Sequence, residues 1–262
     1  RFKIVDAHYN LQNLEIEFPL IVKPVDRSGS RGVSKVECFS ELKTAIKEAL
    51  EVSFCKKVLL EEFVEGKEYS LEMISYRGEH YFIALTEKFT TGSPHFIETM
   101  HFQPADVDED IKQKIIKVIK VALDALDIKF GASHSEIKID ENGNFKIIEI
   151  GARMGGDFIG SDLVKISTGI NFNKLVIDIS TGKSPDFNLK SKKTKFALVK
   201  FIFDNNDLKV LEAIKKYHPD ILYKVGKIRN ITDKSIRDSS ERFGYFIIAC
   251  DKKEDCFNYI RL

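Results

Sequence analysis

The chain has 262 residues, of which 43% are hydrophobic and 31% are charged, a composition that predicts a globular protein with a sizeable core. Its 41 basic residues nearly balance its 40 acidic residues, so charge alone does not favour nucleic acid or a membrane surface as a partner. No apolar run approaches the roughly 20 residues of a membrane span, and we expect no signal peptide. Function is therefore expected to reside in local sites of a cytoplasmic protein.

Cysteine and histidine spacing excludes two further kinds of site. The cysteines at positions 38, 55, 250 and 256 form no CxxC pair, and no histidine cluster has the spacing of metal ligands. We therefore expect reduced thiols, with neither a zinc site nor a disulfide framework. The sequence opens in mid-pattern on Arg1, from which we expect that an N-terminal segment has been removed.

A glycine-rich loop lies between the first two predicted strands. Residues 18–22 form an apolar run that enters Lys23 and Pro24, residues 26–32 read DRSGSRG, and a second apolar run covers 33–36. The pattern predicts strand, loop and strand, unlike a P-loop, whose lysine follows the glycines and opens a helix. Backbone N–H groups of such a loop can surround phosphate oxygens. The alternative is a solvent-exposed hairpin loop beside a surface lysine.

A helix and further strands follow this loop. A serine start signal and apolar residues at helical spacing predict a helix over 40–51 that packs on the preceding strands. An acidic stretch at 61–70, EEFVEGKEYS, lies between predicted strands at 57–61 and 71–75, and by itself it is also typical of a solvated edge. A predicted strand at 81–89 then leads into a long polar loop. That loop covers residues 90–104 and holds His95, Glu98 and His101.

The second half of the chain alternates predicted helices and strands around one hairpin. Apolar residues at helical spacing over 106–127 predict an amphipathic helix that faces a sheet. Two further helices, at 159–168 and 172–181, end at glycines that favour helix termination. The last part predicts a helix at 208–217 and strands at 196–203 and 243–249.

The hairpin at 131–156 places two carboxylates opposite each other. The dipeptide Asn142-Gly143 predicts a two-residue type I′ turn, and with that turn Glu136 lies across from Glu149. In a non-hydrogen-bonded pair the Cα atoms approach to about 4.5 Å, so two like charges repel each other unless a cation lies between them. We therefore expect a divalent metal, whereas the alternative is that Lys138 neutralises Glu136. The buried face is predicted to consist of the isoleucines at 137, 139, 148 and 150.

Three segments taken together resemble the ATP-grasp superfamily. They are the Lys23 strand with its glycine loop, the stretch LEEFV at 60–64 followed by Glu68, and the hairpin that precedes Arg153. The resemblance covers roughly residues 15–185. It implies an α+β fold in which two α+β subdomains with mostly antiparallel sheets grip ATP, and a reaction that passes through an acyl phosphate. The domain that usually precedes the grasp domains is not expected within this chain.

The same resemblance implies how ATP and its metal are held. Lys23 would bind the α- and β-phosphates, and the glycine loop would cover the phosphates as a mobile lid. Glu136 and Glu149 would ligate Mg²⁺ or Mn²⁺, in agreement with their opposed positions in the hairpin. The loop residues implied in this contact are Ser28, Gly29, Ser30 and Gly32.

The acidic stretch would bind the nucleoside. By resemblance Glu61 accepts a hydrogen bond from the adenine amino group, and the backbone at Glu62 and Val64, on either side of Phe63, reads the edge of the ring. Glu68 would hold the ribose hydroxyls. ATP and a divalent metal are therefore the cofactors that the resemblance implies.

Further segments are most similar to the branch of L-amino-acid ligases, the bacilysin-type dipeptide synthetases and their carnosine-synthase-like relatives. These segments are TEK at 86–88, PHFIETMH at 94–101 and EIGARMGGD at 149–157. By this resemblance Glu98 would hold a substrate ammonium group, and His101 would contact the reacting carboxyl or the transferred phosphoryl group. Without the resemblance, His101 is equally compatible with a plain loop histidine.

The implied chemistry depends on cations near the metal. Arg153 would stabilise the anionic intermediate, Lys88 would add positive charge, and Gly155 and Gly156 would lie against the substrate. Two features depart from the superfamily pattern. Most members have asparagine two residues after the second metal glutamate, where this chain has Gly151, so one metal ligand is missing. The missing upstream domain usually supplies a second ATP lysine, which leaves turnover by this chain alone open.

We predict an ATP-dependent ligase that joins small-molecule carboxylate and amine substrates, an amino acid among them, into an amide or peptide bond. The alternatives are a biotin-carboxylase-like or carbamoyl-phosphate-synthase-like enzyme that uses bicarbonate, a tailoring ligase of a biosynthetic cluster, and a non-catalytic nucleotide-binding module. A homodimer is left open. The predicted domains are a small subdomain at 1–78, a large subdomain at 79–190, and a C-terminal α+β part at 191–262 packed on the large subdomain.

Overall fold

The computed structural model describes residues 1–187, 195–232 and 235–261. Its strands are β1 (Phe2–Val5), β2 (Leu20–Pro24), β3 (Ser34–Val36), β4 (Val58–Glu62), β5 (Lys67–Tyr76), β6 (Glu79–Thr90), β7 (Glu98–Gln103), β8 (Phe130–Ile139), β9 (Phe145–Gly151), β10 (Phe196–Ile202), β11 (Leu222–Val225) and β12 (Gly244–Cys250). Its helices are α1 (Phe39–Val52), α2 (Glu109–Ala125), α3 (Val164–Thr168), α4 (Phe172–Ser180), α5 (Asn205–Tyr217) and α6 (Lys253–Tyr259). Among the described residues, no helix combines the length and apolar character needed to cross a membrane.

The first of two compact units consists of Arg1–Val64, Thr90–Thr99 and Arg229–Phe243. It contains an antiparallel four-stranded sheet in the order β1-β4-β2-β3. Helix α1 covers this sheet because its apolar residues recur at helical spacing. Its core joins Leu42, Ala45, Ile46 and Ala49 of α1 to Leu20, Val22, Val58 and Leu60 of the strands.

The second unit consists of Glu65–Phe89, Met100–Ile228 and Gly244–Leu262, as far as these ranges are described. The eight-stranded sheet of the fold has the order β11-β12-β10-β7-β6-β5-β8-β9. Helix α2 packs on one face of this sheet, while α3 and α4 pack on the other, because adjacent strand residues point to opposite sides. The α2 cluster includes Leu71, Leu85, Ile119 and Ile137, and the α3 and α4 cluster includes Ala84, Ala132, Val164 and Phe172.

Part of the sheet face opposite α2 is polar. Along parts of β5, β6 and β8, charged and hydroxyl side chains on this face alternate with apolar side chains on the α2 face. The register sets Ser70 beside Thr86 and Glu136, and Glu72 beside His134. The polar side chains of this area are Glu68, Ser70, Glu72, Thr86, Lys88, His134 and Glu136.

The α+β architecture with antiparallel sheets is confirmed. The predicted domains at 1–78, 79–190 and 191–262 are continuous in sequence, whereas the compact units are not. Strand β5 belongs to the second unit although it precedes residue 78, and residues 229–243 belong to the first unit. The predicted boundary at 190/191 lies outside the described residues. The three domains stay a prediction.

The long polar loop predicted at 90–104 is wrong in its second half, which forms β7. Met100 and Phe102 are buried apolar residues, and they alternate with His101 and Gln103, which are also buried. Polar residues with buried partners gave this strand a loop-like composition. The amide of Gln103, for example, donates to the Thr86 hydroxyl at 2.7 Å.

The predicted opposition of Glu136 and Glu149 is confirmed, although the predicted two-residue turn is wrong. The backbone N–H of Asp140 donates to the Asn144 carbonyl at 2.9 Å, so three residues, 141–143, form the loop. A register shift between Glu136 and Ile137 then moves the pairing by one residue. The buried face is confirmed for Ile137 and Ile139, but on β9 the isoleucines at 148 and 150 are only partly buried.

The predicted helices are confirmed, with small shifts in their ends. Helix α2 begins after Asp108, whose carboxylate accepts hydrogen bonds from the backbone N–H groups of Asp110 and Ile111. The helix predicted at 159–168 opens with a π turn over Ile159–Leu163 and continues as α3. Sequence patterns missed the short elements β1, β11 and α6.

Candidate functional site

Lys88 lies between two glutamates on the polar part of the eight-stranded sheet. Its Nζ atom is 2.7 Å from Oε1 of Glu68 and 2.7 Å from Oε1 of Glu136. The Lys88 side chain is 3% exposed, compared with 18% for Glu68 and 24% for Glu136. The two carboxylates stabilise the buried ammonium group. Lys88 therefore already supplies the neutralising charge that the alternative interpretation assigned to Lys138.

Glu136 also contacts a buried histidine that the sequence analysis missed. Nε2 of His134 lies 3.3 Å from Oε1 of Glu136, and Nδ1 forms a short hydrogen bond with Oε1 of Glu72. The backbone N–H of Gly155 donates to Oε2 of Glu72 at 2.8 Å. Glu72 is fully buried and His134 is nearly so, so these contacts replace water for both groups.

The contacts fix the charges of Glu136 and His134. Burial alone would raise the pKa of Glu136, but the charge of Lys88 and the hydrogen bond from His134 outweigh it and hold that pKa well below its usual value. Burial alone would lower the pKa of His134, but its hydrogen bonds to Glu136 and Glu72 raise it to about 9. At neutral pH, Glu136 is therefore an ionised carboxylate beside two cations.

Glu149 faces Glu136 from β9 and is exposed. Within the described part of the chain, no lysine or arginine forms an ion pair with it. Two carboxylates supply hard oxygen donors, and Mg²⁺ commonly uses one or two of them and completes its shell with phosphate oxygens and water. The pair therefore fits Mg²⁺ or Mn²⁺. No group of three or more Asp, Glu, His or Cys side chains suited to a metal occurs among the described residues, and Gly151 adds no donor.

The segment after β9 carries Arg153 and two glycines in contrasting surroundings. Arg153 is exposed, and its Nη1 donates to the Met154 carbonyl at 3.0 Å. A Cβ atom at Gly155 would lie 2.6 Å from Oε1 of Glu72, so only glycine lets this backbone approach the buried carboxylate. At Gly156 an added Cβ would meet nothing within 4 Å. This position therefore has room for a ligand.

His101 lies on β7 and is 1% exposed, so the alternative of a plain loop histidine is wrong. Its Nε2 is 3.8 Å from Oδ2 of Asp157, and its ring packs edge-on against Phe201. Nδ1 is buried without a hydrogen-bond partner among the described residues. Asp157 and Phe158 both have positive φ, at 48° and 69°, which is rare outside glycine and is often found at functional sites.

In the first unit, two residues with predicted nucleotide roles contact each other. Nζ of Lys23 lies 2.6 Å from Oε1 of Glu61, with side-chain exposures of 17% and 22%. The contact follows from the register of β2 and β4, in which Ile21 pairs with Glu61. A phosphate that bound Lys23 would compete with Glu61 for the ammonium group.

The glycine loop is held by residues distant in sequence but in the same unit. The backbone adopts positive φ at Gly29, Ser30 and Gly32, with values of 69°, 58° and 71°. The Ser30 hydroxyl donates to the Phe96 carbonyl at 3.2 Å, and the Gly29 carbonyl accepts from the Ser239 backbone N–H at 3.2 Å. Ser28 lies in the same loop. The role of the loop as a cover for the phosphates stays a prediction.

The segment predicted to read adenine begins in the last residues of β4 and continues to Val64. The backbone N–H of Phe63, between Glu62 and Val64, donates to the Pro19 carbonyl at 3.1 Å. The Phe63 ring lies 5.9 Å from that of Phe96. The predicted contact of this segment with adenine is not tested by these interactions.

Glu98, the predicted ammonium ligand, contacts a turn late in the chain. Its Oε2 accepts a hydrogen bond of 2.6 Å from the Ser239 hydroxyl, and its carbonyl accepts one of 3.3 Å from Nη1 of Arg242. Ser239 also contacts the glycine loop through Gly29. No sequence signal pointed to Ser239 or Arg242, because they lie more than 140 positions from Glu98.

The structure thus brings the predicted residues together in separate groups. In the second unit, Glu68, Lys88 and Glu136 are in contact, and Glu149 lies opposite Glu136. In the first unit, Lys23 contacts Glu61, while Glu98 and the glycine loop share a partner in Ser239. The two-residue period of β5 and β8 was a usable signal for the missed residues Glu72 and His134.

Comparisons with known proteins identify the family to which the chain belongs. Residues 16–162, more than half of the chain, match the model of the ATP-grasp domain. The chain is 31% identical over 198 residues to alanine–anticapsin ligase of Bacillus subtilis, which covers 66% of this chain and 41% of that protein. It is 28% identical over 176 residues to D-alanine–D-alanine ligase of Pseudomonas entomophila, with coverages of 63% and 52%.

A solved structure extends the similarity over nearly the whole fold. The crystal structure of an L-amino acid ligase from Bacillus licheniformis matches with a TM-score of 0.81 and 26% identity, covering 99% of this chain and 66% of that one. The chain spans about two fifths to half the length of the two curated relatives. With the domain match over residues 16–162, the chain belongs to the ATP-grasp family.

Proposed function

We propose that this chain is the nucleotide-binding and catalytic part of an ATP-dependent carboxylate–amine ligase, which forms an amide or peptide bond and uses an amino acid as one substrate. The observation that carries the proposal is the opposed pair Glu136 and Glu149 beside the buried Lys88. The names of the curated relatives, alanine–anticapsin ligase and D-alanine–D-alanine ligase, support the amino-acid substrate.

The nucleotide contacts would be those that the family resemblance implies. Lys23 would bind phosphate oxygens, the glycine loop would cover them, and Glu61 would accept from the adenine amino group. Glu68 would hold the ribose hydroxyls. Mg²⁺ or Mn²⁺, held by Glu136 and Glu149, would neutralise negative charge on the transferring phosphoryl group.

The reaction would proceed in two steps. An oxygen of the substrate carboxylate attacks the γ-phosphorus of ATP, the bond to ADP breaks, and an acyl phosphate forms. The amine nitrogen then attacks the acyl carbon, phosphate leaves with the C–O bond electrons, and the amine loses a proton. Arg153 would stabilise the tetrahedral oxyanion. His101, whose Nδ1 has no hydrogen-bond partner among the described residues, would contact the reacting carboxyl or the transferred phosphoryl group.

The test is a product screen with the complete gene product. ATP and Mg²⁺ are incubated with single amino acids and with pairs of them, and ADP release and product masses are measured. The proposal predicts that ADP release requires an amino acid and that a product accumulates whose mass equals that of the two substrates less water.

Arg153→Lys keeps the positive charge but loses the planar guanidinium group. We therefore expect this variant to lower kcat far more than it weakens ATP binding.

Two results would contradict the proposal. ADP release that depends on bicarbonate and on no amino acid would favour a carboxylase-type reaction. ATP binding without turnover on any pair of substrates would favour a nucleotide-binding module. A homodimer was left open by the sequence, and light scattering of the purified protein would test it.

A further inference from the structure

The two contacts that described residues make with the Glu136 carboxylate reach the same oxygen. Lys88 Nζ and His134 Nε2 lie 2.7 Å and 3.3 Å from Oε1. Among the described residues, no donor contacts Oε2. A carboxylate that is fixed through one oxygen presents the other in a defined direction. Metal ligands are typically held in this way, by hydrogen-bond partners that do not themselves contact the metal.

His134 is itself fixed from its other side. Nδ1 bonds to Glu72, and Glu72 accepts from the backbone N–H of Gly155. A continuous set of hydrogen bonds therefore runs from Glu136 on β8, through β5, to the backbone that follows β9. The network therefore joins the carboxylate of Glu136 to the segment that follows β9, the strand that carries Glu149.

Packing stability alone does not account for such a network. Replacing a buried ion pair with apolar side chains of similar volume is often neutral or stabilising. Glu72 and His134 nevertheless occupy a fully enclosed position, and Gly155 leaves the space that they need: an added Cβ would lie 2.6 Å from Glu72 and 2.8 Å from His134. The network is placed where the direction of Glu136 and the path of the Arg153 segment are both determined.

We propose that Glu72 and His134 are positioning residues. They hold Oε1 of Glu136 and the backbone N–H of Gly155, so that Oε2 of Glu136 faces the metal and the Arg153 segment keeps its path beside it. The inference rests on the proposed function for the identity of the metal site. It adds two residues that would contact neither metal nor substrate but would set the affinity for the metal.

The two nitrogens of His134 can be tested separately. His134→Gln places an amide near the Nε2 position and keeps a donor for Glu136, whereas His134→Asn places one near Nδ1 and loses that donor. ATP is held at a fixed concentration while Mg²⁺ is varied. The measured quantity is the Mg²⁺ midpoint, the concentration at which half of the Mg²⁺-dependent increase in Tm is reached. We expect His134→Asn to raise this concentration about tenfold, the usual effect of removing an outer-shell partner, and His134→Gln to raise it less.

A second buried histidine provides the matched control. His80 is 5% exposed and lies between Ser75 and Asp124, at 2.7 Å and 3.1 Å, in the same unit. His80→Gln should lower Tm without ATP but leave the Mg²⁺ midpoint unchanged. A role of His134 in stability alone would make His134→Asn behave like His80→Gln, and this result would overturn the inference.

The same assay separates this inference from the proposed function. Suppose that His134→Asn raises the Mg²⁺ midpoint tenfold but the unmodified protein forms no amide product from any substrate pair. This result would contradict the ligase function and leave the positioning role intact. Product formation with an unshifted midpoint would do the reverse. If the unmodified protein shows no Mg²⁺-dependent increase in Tm with ATP, the metal assignment and the positioning role both fall.

Discussion

Single residues of this protein carry charge in buried or crowded positions, and their partners explain why they are tolerated. Lys88 is stabilised by two carboxylates, each 2.7 Å away, although its side chain is almost fully enclosed. Glu149, in contrast, is exposed and faces another carboxylate. We therefore expect the charge of Glu149 to affect stability most when a cation is bound.

We expect Glu149→Gln to remove the Mg²⁺-dependent part of stabilisation by ATP, because the amide oxygen is a weaker and uncharged ligand. The Tm is measured with ATP and Mg²⁺ and with ATP and excess chelator. Glu141→Gln is the control, since Glu141 is an exposed glutamate in the loop of the same hairpin. A full magnesium response in Glu149→Gln would show that Glu149 is not a metal ligand.

Glu87 predicts a pH effect that is independent of ligands. Burial raises the pKa of Glu87 above its usual value, and the charges of Lys67 and Lys253 only partly oppose this. A raised folded-state pKa favours folding at pH values below the unfolded-state pKa, and this contribution is lost as the pH rises through the folded-state pKa. Glu87→Gln should therefore increase the free energy of unfolding at pH 7 and have little effect at pH 4.

Urea unfolding at pH 4 and pH 7 measures this difference. Glu79→Gln, an exposed position on the same strand, should show no such dependence on pH. A loss of stability in Glu87→Gln at pH 7 would mean that the ion pair with Lys67, whose Nζ lies 3.8 Å away, outweighs the cost of burial.

At the scale of elements, the β8–β9 hairpin shows how local chemistry sets the position of the carboxylates. The loop needs positive φ at Gly143, at 78°, and the carboxylate of Asp140 accepts from the backbone N–H groups of Asn142 and Asn144. A glycine is also needed for space, because an added Cβ would lie 2.7 Å from Cδ1 of Ile111. The hairpin is therefore fixed both by its own turn and by the preceding helix region.

Gly143→Ala should destabilise the protein by more than the cost of positive φ alone, which is about 1–2 kcal/mol for a non-glycine residue. Gly78→Ala measures that cost, since Gly78 has φ of 82° and an added Cβ would meet nothing within 4 Å. The extra loss at Gly143 should shrink when Ile111 is replaced by Ala. Equal free energies of unfolding for the two glycine variants would contradict the contact with Ile111.

Sequence patterns predicted the elements whose signals are local. The helical spacing of α1 and α2, the strand and loop around Lys23, and the opposition of Glu136 and Glu149 all follow from residues close in the chain. The prediction of that opposition succeeded although its turn was wrong, because a register shift compensated for the additional loop residue. Local patterns could not show that β7 is a strand, since its polar residues take partners from other elements.

The contacts of the candidate site were harder to predict because they join distant positions. His134 and Glu72 are 62 positions apart, and Lys88 and Glu136 are 48 apart. The pairing of β5 with β6 and β8 brings them together, and no sequence window contains this information. The hairpin pattern and the family resemblance supplied Glu136, Glu149 and Lys88, but not His134 and Glu72.

At the scale of the whole molecule, the two compact units are each assembled from separate stretches of sequence. Besides its first 64 residues, the first unit takes in Thr90–Thr99 and Arg229–Phe243. This assembly places Ser239 beside both Glu98 and the glycine loop. A substrate ammonium group at Glu98 would therefore compete with the hydroxyl of Ser239, a residue 141 positions later in the chain.

If Glu98 holds a substrate ammonium group, Glu98→Gln should weaken the amino-acid substrate and leave ATP affinity nearly unchanged. A charge-assisted hydrogen bond contributes about 1.5–3 kcal/mol, which corresponds to roughly 10- to 150-fold in binding. The measurement is KM for the amino acid and Kd for ATP, with the complete gene product. Ser239→Ala is the companion variant, because it removes the hydroxyl that donates to Glu98 but keeps the carboxylate. Ser239→Ala should therefore leave amino-acid binding equal or stronger. If its KM for the amino acid instead rises as much as that of Glu98→Gln, then Ser239, rather than the charge of Glu98, determines substrate binding.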